Sequence, residues 1–532
     1  MPKFYITDAI DYANGSPHLG HAYEKVVTDC IARAHHQAGF ETYFLLGTDE
    51  HGVKVQRAAA KAGLEPQAYV DAISAQFVEA WRVLRVEPDQ FFRTTDPRHE
   101  PAVQAFFQRA YDAGDIYEHS YEGLYCQGCE AFYQEKDLVD GKCPIHLTAL
   151  ETVHEKNFFF RLSKYQQPLL DHIAAHPEFI QPDFRRNEVV NVIKGGLEDI
   201  SISRASVTWG VPLPPSIPNS AGQTIYVWFE ALLNYITAIG YPDENYRRWW
   251  CGDDGKSPNA LHVIGKDISR FHCVIWPAML MSVGVPVARA AIVHGFIYAK
   301  GVKLSKSLGN QIDPVATSAR FGADALRWYL TREVAFGSDG DFTWERFIER
   351  YNVDLANDYG NLLSRSCSML HKYRAGVVPS RWEPTSLEHE ISALAADCAR
   401  ETRAAWLRLA PSDALAAAWK LVARANVYVE ETKPWALAKD GSPEAVQRLD
   451  TVLATLLEVG RLATRWAWPA IPTKAEEAWA GLALSGAPGQ AGTAGGLDTW
   501  FAGGAAPVNA GVTLPPVTIL FPRIDAEKLE TS

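Results

Sequence analysis

Short apolar runs recur in the first 115 residues and again after residue 222, separated by segments with apolar residues at helical spacing. Residues 4–6, 43–46, 261–264 and 291–293 form four such runs, and each is mostly apolar at successive positions. Strands of this kind are buried on both faces, which is typical of a parallel sheet covered by helices. The pattern predicts an α/β fold with a parallel sheet. A β-branched and aromatic run at residues 224–228 predicts a further strand.

Polar residues follow three of these runs, where each strand is expected to end. Asp49, Asp267 and His294 lie within three residues of the last apolar position of their run. In open α/β sheets, ligands bind outside the carboxyl ends of the strands. The sequence therefore predicts one nucleotide site at this edge of the sheet. Asp49 is a candidate partner for a substrate ammonium group, with a role as a helix cap as the alternative.

The pattern changes twice along the chain, which predicts several folded regions. Residues 115–222 break into short polar segments, and beyond residue 345 Ala, Leu, Arg and Trp recur at the spacing of a helix bundle. A Gly-, Ala- and Pro-rich stretch at 486–510 is typical of a linker, and residues 517–521 predict a short strand. The predicted regions are the two halves of the parallel-sheet catalytic domain (1–114 and 223–344), a connective insertion (115–222), an all-α helix bundle (345–482) and a linker with a C-terminal tail (483–532).

Composition indicates a globular enzyme of several domains. The chain has 532 residues and 58.9 kDa, with 47% hydrophobic and 21% charged residues. No uninterrupted apolar stretch of about 18 residues is present, and the first residues lead straight into a strand with no signal peptide. We therefore expect a cytoplasmic protein with no membrane partner. The net charge of −12 does not itself indicate nucleic-acid binding, for which a local basic patch would suffice.

The motif PHLGH at residues 17–21 stands between the first predicted strand and a helix. A helix N-terminus binds anions, because its unpaired backbone N–H groups and its dipole both point at the ligand. His18 and His21 are three residues apart and therefore share a helix face, and Gly20 lets a ligand approach the backbone. The motif predicts a phosphate site, although two helical histidines are more often ordinary surface or core residues.

A second motif, KLSKS, places Lys303, Ser305, Lys306 and Ser307 between two glycines. Two ammonium groups and two hydroxyls in a glycine-flanked loop are suited to binding polyphosphate. A solvated basic turn is the competing interpretation of this motif taken alone.

Three cysteines and a histidine form two closely spaced pairs in the insertion. Cys126 and Cys129 are followed, after thirteen intervening residues, by Cys143 and His146. This spacing is typical of a structural tetrahedral Zn²⁺ site with three thiolates and one imidazole. Disulfides or unrelated thiols are the alternatives, and a cytosolic chain is kept reduced. The other cysteines show no pairing pattern and are expected to be reduced thiols: Cys30, Cys251, Cys273, Cys367 and Cys398.

The two phosphate motifs together resemble the HIGH and KMSKS signatures of class I aminoacyl-tRNA synthetases, with leucine at one apolar position of each. Residues 9–15, 227–231 and 265–272 and the cysteine–histidine pairs narrow the resemblance to the methionyl-tRNA synthetases, in the bacterial subgroup with one zinc. The similarity extends to residues 520–524. It implies a Rossmann catalytic domain with a zinc-containing insertion and an anticodon-binding helix bundle.

The resemblance also implies a role for individual residues. The catalytic and ATP-binding residues would be His18, Gly20, His21, Lys303, Ser305, Lys306 and Ser307. The methionine pocket would be formed by Ala9, Ile10, Tyr12, Asp49, Trp228, Ala231, Tyr235, Ile268 and His272. The anticodon of tRNA(Met) would be contacted by Asn361, Arg365 and Trp435.

Residue chemistry agrees with this assignment, because a polarizable thioether packs well against aromatic rings. The implied reaction activates methionine with ATP and Mg²⁺ and then charges tRNA(Met). Leucine, isoleucine and valine enzymes of this class usually carry a large editing insertion, since a pocket discriminates poorly by one methylene. Cysteine would not suit an aromatic pocket. Asp11 departs from the family pattern, and we expect its carboxylate to point away from the phosphates.

Two other protein classes share parts of this pattern. Small-molecule nucleotidylyltransferases also carry paired helical histidines, but they are shorter and lack a C-terminal helix bundle. A non-catalytic tRNA-binding relative would be expected to lose signature residues, whereas His18, His21, Lys303 and Lys306 are all present. The chain ends soon after Arg523, which leaves no room for an added dimer-forming module, and we expect a monomer.

Overall fold

The structure is a computed structural model. It describes residues 1–126, 131–133, 138–144, 147–299, 301–303, 312–491 and 496–525. Its strands are β1 (Lys3–Asp8), β2 (Asp11–Tyr12), β3 (Glu41–Asp49), β4 (Gln90–Arg93), β5 (Ile116–Cys126), β6 (Ala131–Tyr133), β7 (Glu151–Phe160), β8 (Ile180–Gln181), β9 (Ile200–Ser201), β10 (Ser203–Arg204), β11 (Thr224–Ile225), β12 (Ala260–Gly265), β13 (Ala290–His294), β14 (Ile297–Ala299), β15 (Val302–Lys303) and β16 (Gly340–Phe342).

The helices of the first two-thirds of the chain are mostly short. They are α1 (Leu19–Gln37), α2 (Val53–Ala62), α3 (Pro66–Val83), α4 (His99–Asp112), α5 (Gln166–Ala175), α6 (Asp183–Lys194), α7 (Val227–Ala231), α8 (Asn234–Thr237), α9 (Arg247–Trp250), α10 (Trp276–Ser282), α11 (Pro314–Phe321) and α12 (Ala323–Arg332). The later part contains α13 (Trp344–Arg350), α14 (Asn361–Arg374), α15 (Ser386–Leu407), α16 (Pro411–Thr432), α17 (Pro434–Asp440), α18 (Pro443–Ala467) and α19 (Pro472–Gly481). None of these described helices is long and apolar enough to cross a membrane.

The central sheet has seven described strands, and all of its pairings are parallel. β1 lies between β3 and β12, with Tyr5 in register with Tyr43 on one side and Ala260 on the other. β13 pairs with β12 and then with β8. The successively apolar runs do form the buried central strands, so the predicted α/β fold is confirmed.

The predictions of a strand at residues 224–228 and at residues 517–521 are wrong. Only Thr224 and Ile225 pair, because the chain turns at Tyr226 into the short helix α7. No strand occurs at residues 517–521, where Leu520 and Phe521 are buried instead in the helical core. Pro515, Pro516 and Pro522 flank this run and remove the backbone donors that a ladder requires.

The insertion has its own small antiparallel sheet, in the order β6–β5–β7–β9. β5 and β7 pair along ten residues, from Ile116 opposite Phe160 to Tyr125 opposite Glu151. Phe158 and Phe160 then pack into the hydrophobic core on one face of the central sheet. Residues 115–222 are therefore joined to the central sheet by this apolar contact and also by β8, which pairs with β13.

The helix bundle shares a hydrophobic core with the other face of the central sheet. Arg327 of α12 crosses this boundary and is completely buried. Its guanidinium donates to Asp29 Oδ2 of α1 at 2.6 Å and to the carbonyl oxygens of Leu84, Pro469 and Ala470 at 3.1, 2.7 and 3.1 Å. One side chain thus joins the sheet domain to the α18–α19 corner of the bundle.

Candidate functional site

A cavity of about 400 Å³ lies at the carboxyl ends of the central strands. Its walls come from the segment after β1, the start of α1, the end of β3, helices α7 and α8, and the residues after β12 and β13. Asp49, Asp267 and His294, which follow three different strands, all line it. The edge of the sheet at which the sequence predicted a nucleotide site therefore carries a cavity.

Residues that are far apart in the sequence meet in the wall of this cavity. All nine residues that the resemblance assigns to the methionine pocket line it: Ala9, Ile10, Tyr12, Asp49, Trp228, Ala231, Tyr235, Ile268 and His272. Asp49 ends β3 and does not cap a helix, because α2 begins at Val53 with Gly52 at its N-cap. The helix-cap alternative for Asp49 is therefore excluded by the geometry.

The apolar end of the wall carries a fixed hydrogen-bond arrangement. His272 donates from Nδ1 to the carbonyl oxygen of Ile268 at 3.1 Å, so its Nε2 accepts from the Tyr235 hydroxyl at 2.7 Å. Burial lowers the pKa of His272 to about 4 and raises that of Tyr235, which keeps both groups neutral at physiological pH. Trp228 stacks on Phe271 with ring centroids 3.9 Å apart. This end of the wall is thus aromatic, uncharged and suited to a thioether.

Helix α1 begins with His18 as its N-cap, as predicted. The Nδ1 atom of His18 accepts from the backbone N–H groups of Gly20 and His21, at 3.1 and 3.4 Å. His21 Nδ1 accepts from the backbone N–H of His18 at 3.2 Å, and the two rings stack 3.7 Å apart. The backbone donors that predicted an anion site are therefore capped internally. In each neutral ring the proton lies on Nε2, which makes Nε2 the donor that a phosphate oxygen would meet.

A buried carboxylate connects the two sides of the wall. Glu230 of α7 accepts from His51 Nδ1 at 2.8 Å and from His99 Nε2 at 2.7 Å. His99 Nδ1 contacts the Thr237 hydroxyl at 2.8 Å, and the Tyr12 hydroxyl donates to the His51 carbonyl at 3.1 Å. Burial opposes ionisation of Glu230, but His51 and His99 outweigh it and lower the pKa of Glu230 to about 2.

Asp11, which departs from the family pattern, has a partner in the protein interior. Its Oδ1 atom lies 2.8 Å from the ammonium of Lys25, and both side chains are buried. Burial raises the pKa of Asp11 to about 6 in spite of this ion pair. The ammonium accounts for a carboxylate close to a phosphate site, because it neutralises the charge locally.

Several predicted site residues lie outside the described part of the chain. These are Cys129, His146, Ser305, Lys306 and Ser307. Lys303 ends β15, the last strand before the motif. Cys126 and Cys143 are both fully buried. Within the described residues no group of three candidate metal ligands occurs. The five remaining cysteines form no disulfide, as expected.

The three predicted anticodon residues lie on the surface of the helix bundle. Asn361 and Arg365 are on α14, and Trp435 is in the first turn of α17 with 42% of its surface exposed. A tryptophan with this exposure is not a core residue. Arg365 pairs with the exposed carboxylate of Glu430 at 2.9 Å.

Sequence reasoning missed the buried charges beneath the cavity. Lys25, Glu24 and Glu230 were not singled out, although each lies within seven residues of a predicted site residue. Lysine and glutamate are rarely buried, so an apolar-periodicity argument treats them as surface positions. Lys25 did carry a signal, because it interrupts the apolar face of α1 next to Val26 and Val27.

Comparison with known proteins agrees with this geometry. The family model described as tRNA synthetases class I (M) matches residues 4–152 and 137–367. The methionine–tRNA ligase of Caldanaerobacter subterraneus subsp. tengcongensis is 43% identical over 528 residues, covering 99% of this chain and 79% of that protein. The methionine–tRNA ligase of Streptomyces coelicolor is 40% identical, covering 98% of this chain and 97% of its own.

Solved structures give the same result. Mycobacterium tuberculosis methionyl-tRNA synthetase in complex with methionyl-adenylate superposes with a TM-score of 0.91 at 40% identity, covering 98% of this chain and 100% of that one. The free-state structure of the same Mycobacterium tuberculosis protein has a TM-score of 0.84 at 37% identity, covering 99% of both chains. The match therefore includes the insertion and the helix bundle as well as the central sheet, and the chain belongs to the methionyl-tRNA synthetase family.

Proposed function

We propose that this protein is a methionine–tRNA ligase, which activates L-methionine with ATP to methionyl-adenylate and then transfers methionine to tRNA(Met). The observation that carries the proposal is the convergence of His18, Gly20 and His21 with nine methionine-pocket residues in one cavity. The similar Mycobacterium tuberculosis protein was solved in complex with methionyl-adenylate, the intermediate that such a reaction requires.

The first step needs positioning and charge neutralisation more than proton transfer. A methionine carboxylate oxygen attacks the α-phosphorus of ATP, and the bond to the pyrophosphate oxygen breaks. The carboxylate is already ionised, so no general base is required. His18 and His21 would donate to the phosphates from Nε2, while Lys303 and Lys306 would neutralise the leaving pyrophosphate. Mg²⁺ supplied with ATP would add further charge stabilisation.

Methionine recognition would combine one charge with an apolar end. Asp49 is buried at the end of β3 and is the proposed partner of the substrate ammonium group. Tyr12, Trp228 and Tyr235 supply aromatic surface to the thioether. Because His272 stays neutral, the apolar end has no charge that would favour a polar amino-acid side chain.

The second step transfers the methionyl group to a hydroxyl of the terminal adenosine of tRNA. The class resemblance indicates the 2′-hydroxyl as the acceptor. The tRNA would be selected at its anticodon by Asn361, Arg365 and Trp435. RNA loops are recognised by stacking unpaired bases on aromatic rings and by hydrogen bonds to their exposed edges. The exposure of Trp435 supports this role.

The function is tested by ATP–pyrophosphate exchange with each of the twenty amino acids. Methionine is expected to support exchange. No other amino acid is expected to support it with a comparable kcat/KM. Lys306→Ala should slow adenylate formation at saturating substrates by raising its activation free energy by about 2–4 kcal/mol. The reason is that charge develops on pyrophosphate mainly in the transition state. Methionine binding alone should stay unchanged. Exchange with a different amino acid would overturn the assignment, and an unchanged Lys306→Ala rate would remove that residue from it.

We further propose one structural zinc per chain, held by Cys126, Cys129, Cys143 and His146. The burial of Cys126 and Cys143 is compatible with a closed site. Elemental analysis of the purified protein should find one zinc per chain, and Cys143→Ala should lose it. Cys398→Ala, which changes a buried cysteine of the helix bundle, is the matched control and should retain the metal. Full zinc in Cys143→Ala would exclude Cys143 as a ligand.

The anticodon role of Trp435 predicts a selective loss of charging. Trp435→Ala should lower kcat/KM for aminoacylation of tRNA(Met). The expected loss corresponds to about 1–3 kcal/mol, the contribution of one base stack. Methionine-dependent exchange should remain normal, because the cavity is untouched. Val427→Ala, an exposed apolar truncation on α16, serves as the control. The role is wrong if Trp435→Ala charges tRNA(Met) normally or loses exchange and charging together.

We also propose that the protein acts as a monomer in the cytoplasm. The exposed apolar side chains of the described residues are scattered over many elements, which supports a monomer. Light scattering at the concentrations of the kinetic assays should give the mass of one chain, 58.9 kDa. A stable mass of two chains would contradict the proposal.

A further inference from the structure

Lys25 is one of the residues that line the cavity, and its ammonium group has four oxygen atoms around it. The oxygens are Asp11 Oδ1 at 2.8 Å, the carbonyl of Ala9 at 2.9 Å, Glu24 Oε1 at 3.0 Å and Asp8 Oδ1 at 3.4 Å. Only 2% of the Lys25 side chain is exposed. An ammonium has three N–H donors, so three close oxygens satisfy it and the fourth contributes charge.

These oxygens belong to two chain segments that both line the cavity. Lys25 and Glu24 are on α1, two turns or less after His18 and His21. Asp8 and Asp11 bracket the segment that contributes Ala9 to the methionine wall. The ammonium therefore ties the methionine side of the cavity to the helix that carries the phosphate side.

Glu24 extends the connection to a third strand. Its Oε1 atom accepts from Lys25, and its Oε2 atom lies 2.6 Å from His294 Nε2 at the end of β13. His294 in turn contacts the carbonyl oxygen of Gly295 at 2.7 Å through Nδ1. Gly295 precedes β14 and β15, and β15 ends at Lys303. One ammonium is thus connected to the strand that leads to the lysine motif.

Lys25 supplies the positive charge that offsets the acidic side chains of this cluster. Three carboxylates, from Asp8, Asp11 and Glu24, share one ammonium and the His294 ring in a buried space. Burial raises the pKa of Asp8 well above its usual value. Burial opposes the charge of Lys25, but Asp11, Asp8 and Glu24 outweigh it and raise the pKa of Lys25. The lysine is therefore a permanent charge.

We propose that Lys25 is a positioning residue that aligns the methionine side of the cavity with its phosphate side for in-line attack. The proposal rests on the proposed function. Lys25 does not need to touch either substrate: it fixes the distance between Ala9 and the start of α1. In-line transfer is sensitive to such a distance, since a displacement of about 1 Å can cost on the order of 10²-fold in rate.

A neutral, charge-balanced replacement separates alignment from charge. Lys25→Met alone leaves buried carboxylates without their cation and can unfold the site. The double variant Lys25→Met/Asp11→Asn removes one positive and one negative charge and keeps the net charge of the cluster. We expect it to fold with a circular dichroism spectrum like that of the wild type. Its single-turnover rate of adenylate formation at saturating methionine and ATP is expected to fall by about 10- to 100-fold.

Equilibrium binding supplies the readout that a purely structural role would not reproduce. The dissociation constants of methionine alone and of ATP alone should stay within about threefold of the wild type in the double variant, since each half of the cavity keeps its own contacts. Lys3→Met is the matched control, because Lys3 is also paired with a carboxylate, Asp253, but at the opposite end of β1. Its adenylate rate should equal that of the wild type.

Each other outcome overturns the proposal. A wild-type rate in the double variant would mean that Lys25 only neutralises charge. Loss of methionine or ATP binding in proportion to the rate would mean that Lys25 shapes one half of the cavity and does not align the two. Failure of the proposed function is distinguishable, because the wild-type protein itself would then form no methionyl-adenylate.

Discussion

Asp49→Asn is expected to lower kcat/KM for methionine by about 3–5 kcal/mol, on the order of 10²- to 10⁴-fold, with little change in the KM for ATP. Asp49 is buried at the end of β3 and faces the cavity, so its charge is little screened by water. Asparagine has the same shape and leaves the packing intact, but it leaves a substrate ammonium group desolvated without an anion. Steady-state pyrophosphate exchange measures the loss.

A substrate analogue makes this prediction specific to the ammonium group. The wild-type protein should bind methionine far better than 4-(methylsulfanyl)butanoic acid, which lacks the amino group, and Asp49→Asn should lose most of that preference. Asp253→Asn, an exposed carboxylate paired with Lys3, is the control and should behave as the wild type. If Asp49→Asn discriminated the two ligands as strongly as the wild type, another residue would hold the ammonium group.

Glu230→Gln is expected to lower the local stability of the cavity wall around α7 by about 3–5 kcal/mol. Glu230 is completely buried and holds two histidines, His51 at 2.8 Å and His99 at 2.7 Å. The glutamine side chain has one acceptor oxygen, and its amide nitrogen is only a donor. It therefore cannot accept from both histidine rings, and one buried ring nitrogen loses its partner. Hydrogen exchange of the peptides that contain α4 and α7 measures the free energy of local opening.

The pH dependence of that stability has a defined sign. The pKa of Glu230 is lowered to about 2 in the folded protein from an ordinary value of 4.5, so its contribution is present above pH 4.5 and is lost as the pH falls toward 2. Burial opposes the charge of His51, but Glu230 outweighs it and raises the pKa of His51. The His51 contribution is therefore full below pH 6.5 and is lost as the pH rises through the raised value.

The difference in opening free energy between wild type and Glu230→Gln should consequently be greatest between pH 4.5 and 6.5. Glu79→Gln is the matched control, because Glu79 pairs with Arg82 on the exposed face of α3. It should leave the exchange of α4 and α7 unchanged at every pH. A difference that does not vary with pH would show that Glu230 acts through packing and not through its ion pairs.

The architecture of the sheet was predictable because burial on both faces leaves a direct trace in the sequence. Residues 43–46 and 291–293 are apolar at every position, and they form parts of the central strands β3 and β13. The helix start at His18 was predictable for a similar reason, since a strand, a turn-rich loop and helical periodicity follow one another there. Site residues then fall at strand ends, where an open sheet places its ligands.

Tertiary packing decided what the sequence pattern left undetermined. Residues 224–228 have strong strand propensity, but helix α7 begins at Val227 and turns Glu230 toward His51 and His99. Residues 517–521 look like a strand and instead bury Phe521 beside Tyr351, with ring centroids 5.9 Å apart. Short apolar runs do not specify which partner buries them, so their secondary structure follows from long-range contacts.

Buried charges escaped prediction because their partners are distant in sequence. Lys25 meets Asp8 and Asp11, which are seventeen and fourteen positions away. Glu230 meets His51 across a sequence separation of 179 residues. Hydrophobic periodicity contains no information on such pairs, and the exposed state is the usual one for each residue type. Only the folded chain brings these groups together.

Arg327 holds the sheet and the helix bundle in a fixed relative position. Its guanidinium is bonded to both sides of the boundary between the sheet and the helix bundle, so a hinge at that point would break several buried hydrogen bonds at once. The distance from Trp435, the proposed anticodon contact, to the cavity is then fixed. A tRNA bound at both places would have to match that span. A tRNA whose anticodon does not stack on Trp435 would present its acceptor end out of reach, and selection would need no signal travelling through the polypeptide.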